Sequence, residues 1–189
     1  MTKARLHPTL LELHGAMKDM VFKQRNGKTY LSVRPKGGRE PTPAQAAQRE
    51  RFGLAVAYAK YALADAESRT VYEAASKEKG IPAFALGIAD FLNAPSITEV
   101  DVEAYTGQIG SPIAIVTHDD LGVLKVNVVL TDDLGNPIES GLAVESPAGT
   151  GHWKYTAKSP APGETNVHIQ VTATDRPGGT GVKTATKTF

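Results

Sequence analysis

The 189-residue chain contains no cysteine. Disulfides and thiolate metal sites are therefore excluded as sources of stability. Aromatic residues make up only 6% of the chain, with a single tryptophan, so a core must be built mostly from aliphatic side chains. No stretch approaches the roughly 18 consecutive apolar residues that a membrane helix needs. The opening MTKARLHPTLLELHG does not read as a signal peptide: Glu12 and His14 break the apolar run, and no small-residue cleavage site follows. Synthesis in the cytoplasm and no membrane partner are expected. Patterns that carry chemistry are missing too. His7, His14, His118, His152 and His168 have no metal-ligand spacing. No serine sits in a nucleophile elbow. PKGGRE lacks the strand-to-helix setting and the Lys-Ser/Thr ending of a phosphate loop, and reads as a linker. A non-enzymatic protein is expected.

What remains suits a folded protein of one large or two small domains: 41% of residues are apolar and the charged fraction is ordinary. The net charge of +1 hides a split. Residues 1–95 carry 15 Lys/Arg and 9 Asp/Glu, or +6; residues 96–189 carry 6 and 11, or −5. Unlike halves of this kind imply different surfaces for different partners, or a head-to-tail contact between copies.

In VFKQRNGKTYLSVRP, Asn26-Gly27 lies between two alternating runs. Both residues tolerate the positive φ of a two-residue type I′ turn, which fixes a register in which paired residue numbers sum to 53. Met20, Phe22, Leu31 and Val33 then share one face. Lys23, Arg25, Lys28 and Tyr30 share the other, with Arg34 beyond. A lone hairpin is marginal in water, so the apolar face is expected to dock on the following helices or on another chain.

After the linker, Thr42-Pro43-Ala44-Gln45 supplies a helix start with proline at the first helical position. Phe52, Ala55, Val56, Ala59 and Leu63 recur at helical spacing, predicting a helix from about 43 to about 64. Asp65 is placed to cap a second helix ending near Gly80. Pro82 to Asn93 predicts a third, shorter one. From Asn93-Ala94-Pro95 onward the pattern changes to short alternating runs at about 97–105, 112–118, 122–131, 138–145, 152–158, 166–174 and 181–188. About seven short strands in this length match an immunoglobulin-like sandwich, with Trp153 and Tyr155 as aromatic core. The expected fold is α+β in two parts: a basic hairpin with two to three helices over 1–95, and an acidic all-β sandwich over 96–189.

The stretches DDLGVLKVNVVLTDDLGNPI, GHWKYTA and VTATDRPGG resemble bacterial immunoglobulin-like domains, the last being similar to their Ala-x-Asp-x-x-Gly ending. Gly179 stands where an asparagine often follows that glycine. VFKQRNGKTYLSVRP, TPAQAAQRERF and ADFLNAPSI together resemble a group of uncharacterised proteins of bacteria and their phages. That resemblance implies a recurrent, often phage-associated architecture, and no activity.

Three surfaces are candidate sites. The first is the apolar docking face Met20, Phe22, Leu31 and Val33. The second is the basic face Lys23, Arg25, Lys28, Tyr30 and Arg34, which with Arg39, Arg49 and Arg51 fits nucleic acid or an acidic protein surface such as the chain's own β half. The third is the set Asp119, Asp120 and Asp175, expected at one end of the sandwich. Three carboxylates there can hold Ca²⁺; the alternative is that each aspartate caps its own turn. Asp132-Asp133 are expected to make the turn before Gly135. No other cofactor is expected. The reading that follows is a structural or interaction protein, a phage virion component such as a decoration or assembly protein, with protein partners through self-assembly or a larger particle. A carbohydrate or cell-surface module, or nucleic-acid binding through the basic half, are the alternatives.

Overall fold

The computed structural model describes residues 2–3, 15–25, 28–34, 40–163 and 166–189. The Asn26-Gly27 turn and the linker at 35–39 lie outside these. Among the described residues the fold is α+β and mostly β, with three helices and three antiparallel four-stranded sheets. None of these helices is long and apolar enough to cross a membrane. The chain forms two compact units, Met1–Pro43 and Ala44–Phe189. The sequence-based division at 95/96 follows a change of secondary structure; the compact units follow packing instead.

The first unit is a sheet of β1 (Thr2–Lys3), β2 (Gly15–Met17), β3 (Met20–Arg25) and β4 (Lys28–Val33) in the order β1-β4-β3-β2. The hairpin register is the expected one: Met20 pairs with Val33, Phe22 with Leu31, Lys23 with Tyr30 and Arg25 with Lys28. A one-residue slip would have exchanged the two faces. The flanking strands extend the hairpin, with Lys3 opposite Tyr30 and Gly15 opposite Phe22.

The second unit opens with α1 (Pro43–Ala64), α2 (Ala66–Lys79) and α3 (Ala83–Leu92). Local signals explain their ends. Asp65 accepts from Ser68 N at 2.8 Å, satisfying one free N–H at the start of α2. Gly80 closes α2 in the left-handed conformation, φ 66°, with its N–H donating to Ser76 O. Ala62, Tyr72 and Leu86 form a small core, and Leu121 from outside the helices packs against it. Gly87 lets α3 approach α1 closely: a Cβ there would lie 3.1 Å from that of Ala59.

Two sheets follow. One contains β5 (Ser96–Asp101), β6 (Pro112–His118), β9 (Val144–Glu145) and β10 (His152–Thr156) in the order β5-β6-β10-β9. The other contains β7 (Lys125–Thr131), β8 (Pro137–Leu142), β11 (Val167–Thr174) and β12 (Thr180–Lys187) in the order β12-β11-β7-β8. Both feed one core: Ile113, Ile115, Trp153 and Tyr155 from the first, Val126, Val128, Leu130, Ile169 and Val171 from the second. Alternation along β11, buried then not, is the half-buried strand pattern read from sequence. The strand expected at 97–105 ends at Asp101, where Asp101 Oδ1 accepts from Glu103 N at 2.8 Å and turns the chain. The strand expected at 138–145 is interrupted at Ala143, which is buried and donates its N–H to Val126 O at 2.9 Å. Trp153 is core as expected, its Nε1 donating to Thr117 Oγ1 at 3.0 Å.

Candidate functional site

On the hairpin sheet the expected apolar face is only partly covered. Phe22 and Leu31 are half-buried, while Met20 is 37% and Val33 74% exposed. Opposite, Lys23 and Lys28 are exposed and Tyr30 is half-buried; Arg34 is exposed, and its N–H donates to Asp19 O at 2.7 Å. The backbone of Arg25 pairs with Lys28 as expected. The backbone of Lys3 pairs opposite Tyr30, a placement only sheet pairing could reveal.

α1 departs from its expected packing. Ala55, Ala59 and Ala62 are buried, but Phe52, expected to face the core, is 49% exposed. Residues 43–54 are exposed throughout, including Leu54 at 56%; further on, Tyr61 is 75% exposed. Periodicity finds an apolar stripe but not what covers it. Arg51, counted above with the basic patch, is committed to helix packing: its Nη2 donates to Leu92 O at 2.7 Å.

The acidic residues separate into different roles. Asp119 Oδ2 accepts from Leu121 N at 3.1 Å and Gly122 N at 2.9 Å, a turn cap. Asp120 joins the helices to the β6–β7 loop: its Oδ2 accepts from Asn93 Nδ2 at 2.7 Å, and its carbonyl accepts from Lys79 Nζ. Asp175 is 1% exposed. Burial raises its pKa; the N–H groups of Gly178 and Gly179 lie near enough to offset part of that cost, although neither carboxylate oxygen has a partner of good hydrogen-bond geometry. The close approach explains Gly179, where a Cβ would come 2.5 Å from Asp175 Oδ2. Among the described residues no three acidic or histidine side chains converge as a metal cage. Of the Asp132-Asp133 pair only Asp132 makes the turn, accepting from Leu134 N at 2.9 Å and Asn136 N at 2.8 Å. Asp133 instead reaches the start of β11, accepting from Asn166 N at 3.2 Å and meeting His168 Nε2 at 3.1 Å.

A buried carboxylate that sequence reasoning missed lies on α3. Asp90 is 1% exposed. Its Oδ2 accepts from Tyr72 Oη at 2.5 Å, and Tyr72 Oη in turn lies 2.9 Å from Tyr58 Oη. Asp90 Oδ1 has no partner. Burial pushes its pKa up to about 6, with the Asp119, Asp175 and Asp120 carboxylates adding to the rise and the Tyr72 bond opposing it. Burial likewise raises Tyr72 and Tyr58. Asp90 follows the helical period of the apolar residues around it, so only its polarity marked it out, and polarity alone suggests a surface position.

A cavity of about 360 Å³ lies between the end of α2 and the β6–β7 and β9–β10 loops. Glu78, Lys79, His118, Asp119, Asp120 and Glu145 contribute to its wall. Two of its charged groups are used within the fold: Lys79 on Asp120, and Glu145 Oε1 accepting from Gly151 N at 2.8 Å.

No protein-family model and no curated relative matches the chain. Among solved structures it is similar to CopC from Methylosinus trichosporium OB3b, at 12% identity and a TM-score of 0.37, over 50% of this chain and 91% of that one. It is also similar to a conjugative transposon lipoprotein from Bacteroides eggerthii DSM 20697, at 11% identity and a TM-score of 0.26, over 49% and 92%. Both are distant, and the functional reading rests on this chain's own geometry.

Proposed function

We propose that the protein is a non-enzymatic assembly and interaction protein that displays an immunoglobulin-like module, with a phage virion as the setting its sequence resemblance implies. The observation that carries this reading is α1. Most helical stability in proteins comes from packing an apolar face, yet residues 43–54 are exposed throughout and include Phe52 and Leu54. A long helix with so little cover gains its missing contacts from a partner. The immunoglobulin-like assignment is supported by strand order. With β5 to β12 taken as strands A, B, C, C′, D, E, F and G, the two sheets read A-B-E-D and G-F-C-C′. The tryptophan lies on the E position rather than C, and no disulfide joins B to F. The carbohydrate alternative loses ground because Tyr105, Trp153 and Tyr155 are all buried, leaving Phe189 as the exposed aromatic of the β half.

The test is quantitative mass spectrometry of purified particles from a culture that encodes the chain. Fixed stoichiometry with the capsid or tail proteins is the expected result; absence from particles overturns the virion setting. The basic hairpin face supports a second reading, nucleic-acid binding, because exposed Lys23 and Lys28 flank Tyr30. That reading requires binding that weakens with salt and is lost on charge reversal of Arg25 and Lys28. No binding at low salt ends it.

A further inference from the structure

Successive residues of an α-helix advance by about 100°, so the face of α1 opposite Ala55, Ala59 and Ala62 can be read directly. It consists of Ala46, Glu50, Gly53, Ala57, Lys60 and Ala64, all exposed. The spacing alternates four and three, the 3.5-residue period of a helix that pairs with another helix. Leu54 and Tyr61, at 56% and 75% exposure, run along one side of this face. The opposite face is already used: Ala59 packs on Gly87 of α3.

The outward face is self-complementary in one arrangement. Let a second copy of α1 lie antiparallel, with paired residue numbers summing to 110. Glu50 then meets Lys60 of the other copy, and Lys60 meets Glu50, so both charges on the face are matched twice. Gly53 faces Ala57, and Ala46 faces Ala64. With no side chain larger than a methyl at these positions, the backbones approach closely. Beside the two-fold axis, Leu54 lies against its own counterpart, and Tyr61 covers Ala47. A parallel pair would set Glu50 on Glu50 and Lys60 on Lys60, which is repulsive.

We infer that two copies of this chain associate through an antiparallel, two-fold α1–α1 pair, with Glu50 and Lys60 as the reciprocal ion pairs and Leu54 at the centre. This rests on the reading of α1 as the assembly element and names its partner. The contact is isologous and therefore closes as a dimer instead of propagating as a filament. The ion pairs set orientation and register, since like charges brought together cost far more than rim pairs gain.

The experiment is sedimentation equilibrium of the full chain, supported by oxidative cross-linking. The wild type is expected to be dimeric at about 0.1 mM, where even a micromolar contact is populated. Lys60→Glu is expected to weaken the dimer by about tenfold or more, and the double variant Glu50→Lys with Lys60→Glu to restore it. Both positions are exposed, so circular dichroism, and the melting temperature at concentrations low enough to leave every form monomeric, should stay at wild-type values. The absence of native cysteine gives a clean geometric check. Leu54→Cys should cross-link to itself on oxidation. Ala47→Cys should not, because the same register separates the two copies of that residue along the axis by about 24 Å at 1.5 Å per residue. A monomeric wild type, a dimer indifferent to Lys60→Glu, a failed rescue by the swap, or cross-linking of Ala47→Cys in place of Leu54→Cys each overturns the inference. A monomer that is still found in particles refutes the pairing and leaves the assembly role standing. A dimer with the predicted cross-link that is absent from particles supports the pairing and removes only the virion setting.

Discussion

Replacing Asp90 by asparagine should make this protein more stable at neutral pH. The carboxyl is 1% exposed, and its one bond is the hydrogen bond from Tyr72. Its folded pKa of about 6 stands against an ordinary value of 3.8. The folded state therefore holds the proton more tightly than the unfolded chain does. Below about pH 4 both states are protonated and the group costs nothing. As pH rises from about 4 to about 6 the unfolded chain releases its proton first, and stability falls by that difference. Above about 6 the full penalty applies. At about 1.4 kcal/mol per pK unit, two units amount to about 3 kcal/mol, an order-of-magnitude figure. Asparagine keeps an acceptor for Tyr72 Oη, matches the shape of the protonated acid and carries no charge at any pH. Urea unfolding of both forms at intervals from pH 4 to pH 8 measures the difference. The curves should coincide near pH 4 and diverge with rising pH until the variant leads by up to about 3 kcal/mol. A gap that is constant across this range, or an asparagine variant less stable at pH 8, refutes the assignment of a buried acid with a raised pKa.

Removing the other end of the same bond should act in the opposite direction. Tyr72→Phe leaves Asp90 without any partner and should cost about 1–3 kcal/mol, with the Asp90 titration, followed by carboxyl-carbon NMR, moving further up. Gly181→Ala should destabilise by about 1–3 kcal/mol or more, because its Cβ would overlap the carbonyl of Pro95, which is backbone and cannot swing away. Gly163→Ala, with nothing within 4 Å of the added carbon, is the matching control and should be silent in thermal unfolding. Calcium at about 1 mM, the weak end of protein calcium sites, should leave the melting temperature unchanged, since Asp119 Oδ2 and Asp120 Oδ2 are already bonded within the fold. Stabilisation abolished by Asp175→Asn would overturn that expectation.

Features decided by neighbours along the chain are legible in the sequence. Helix α1 runs over Pro43–Ala64, the span its start signal and apolar period predict. Asp65 and Gly80 bracket α2 because a capping carboxylate and a left-handed glycine are local devices. The hairpin register follows from two turn residues and a period of two, and the pairs of β3 with β4 agree at every position. Where the sequence misleads, the missing information is spatial. Phe52 belongs to an apolar stripe, but the close packing of α1 on Gly87 of α3 is at Ala59, about two turns further on, and the ring stays exposed. Asp133 resembles its neighbour Asp132 in sequence, but the fold brings β11 beside it with Asn166 and His168.

By itself, then, the sequence determined the kinds of element, the limits of the helices, the alternation that sends Ile113, Val128 and Ile169 into one core, and the exclusion of disulfides. These rest on dihedral preferences and side-chain periods, which act within a few residues. Only the tertiary structure decided which strands adjoin, that the helices share a compact unit with the two larger sheets through Leu121 and the Asp120–Asn93 bond, and that Asp90 is sealed beneath Tyr72. Burial depends on what arrives from distant parts of the chain, and it is the largest cause that lifts the pKa of Asp90 to about 6, above that of a solvated aspartate.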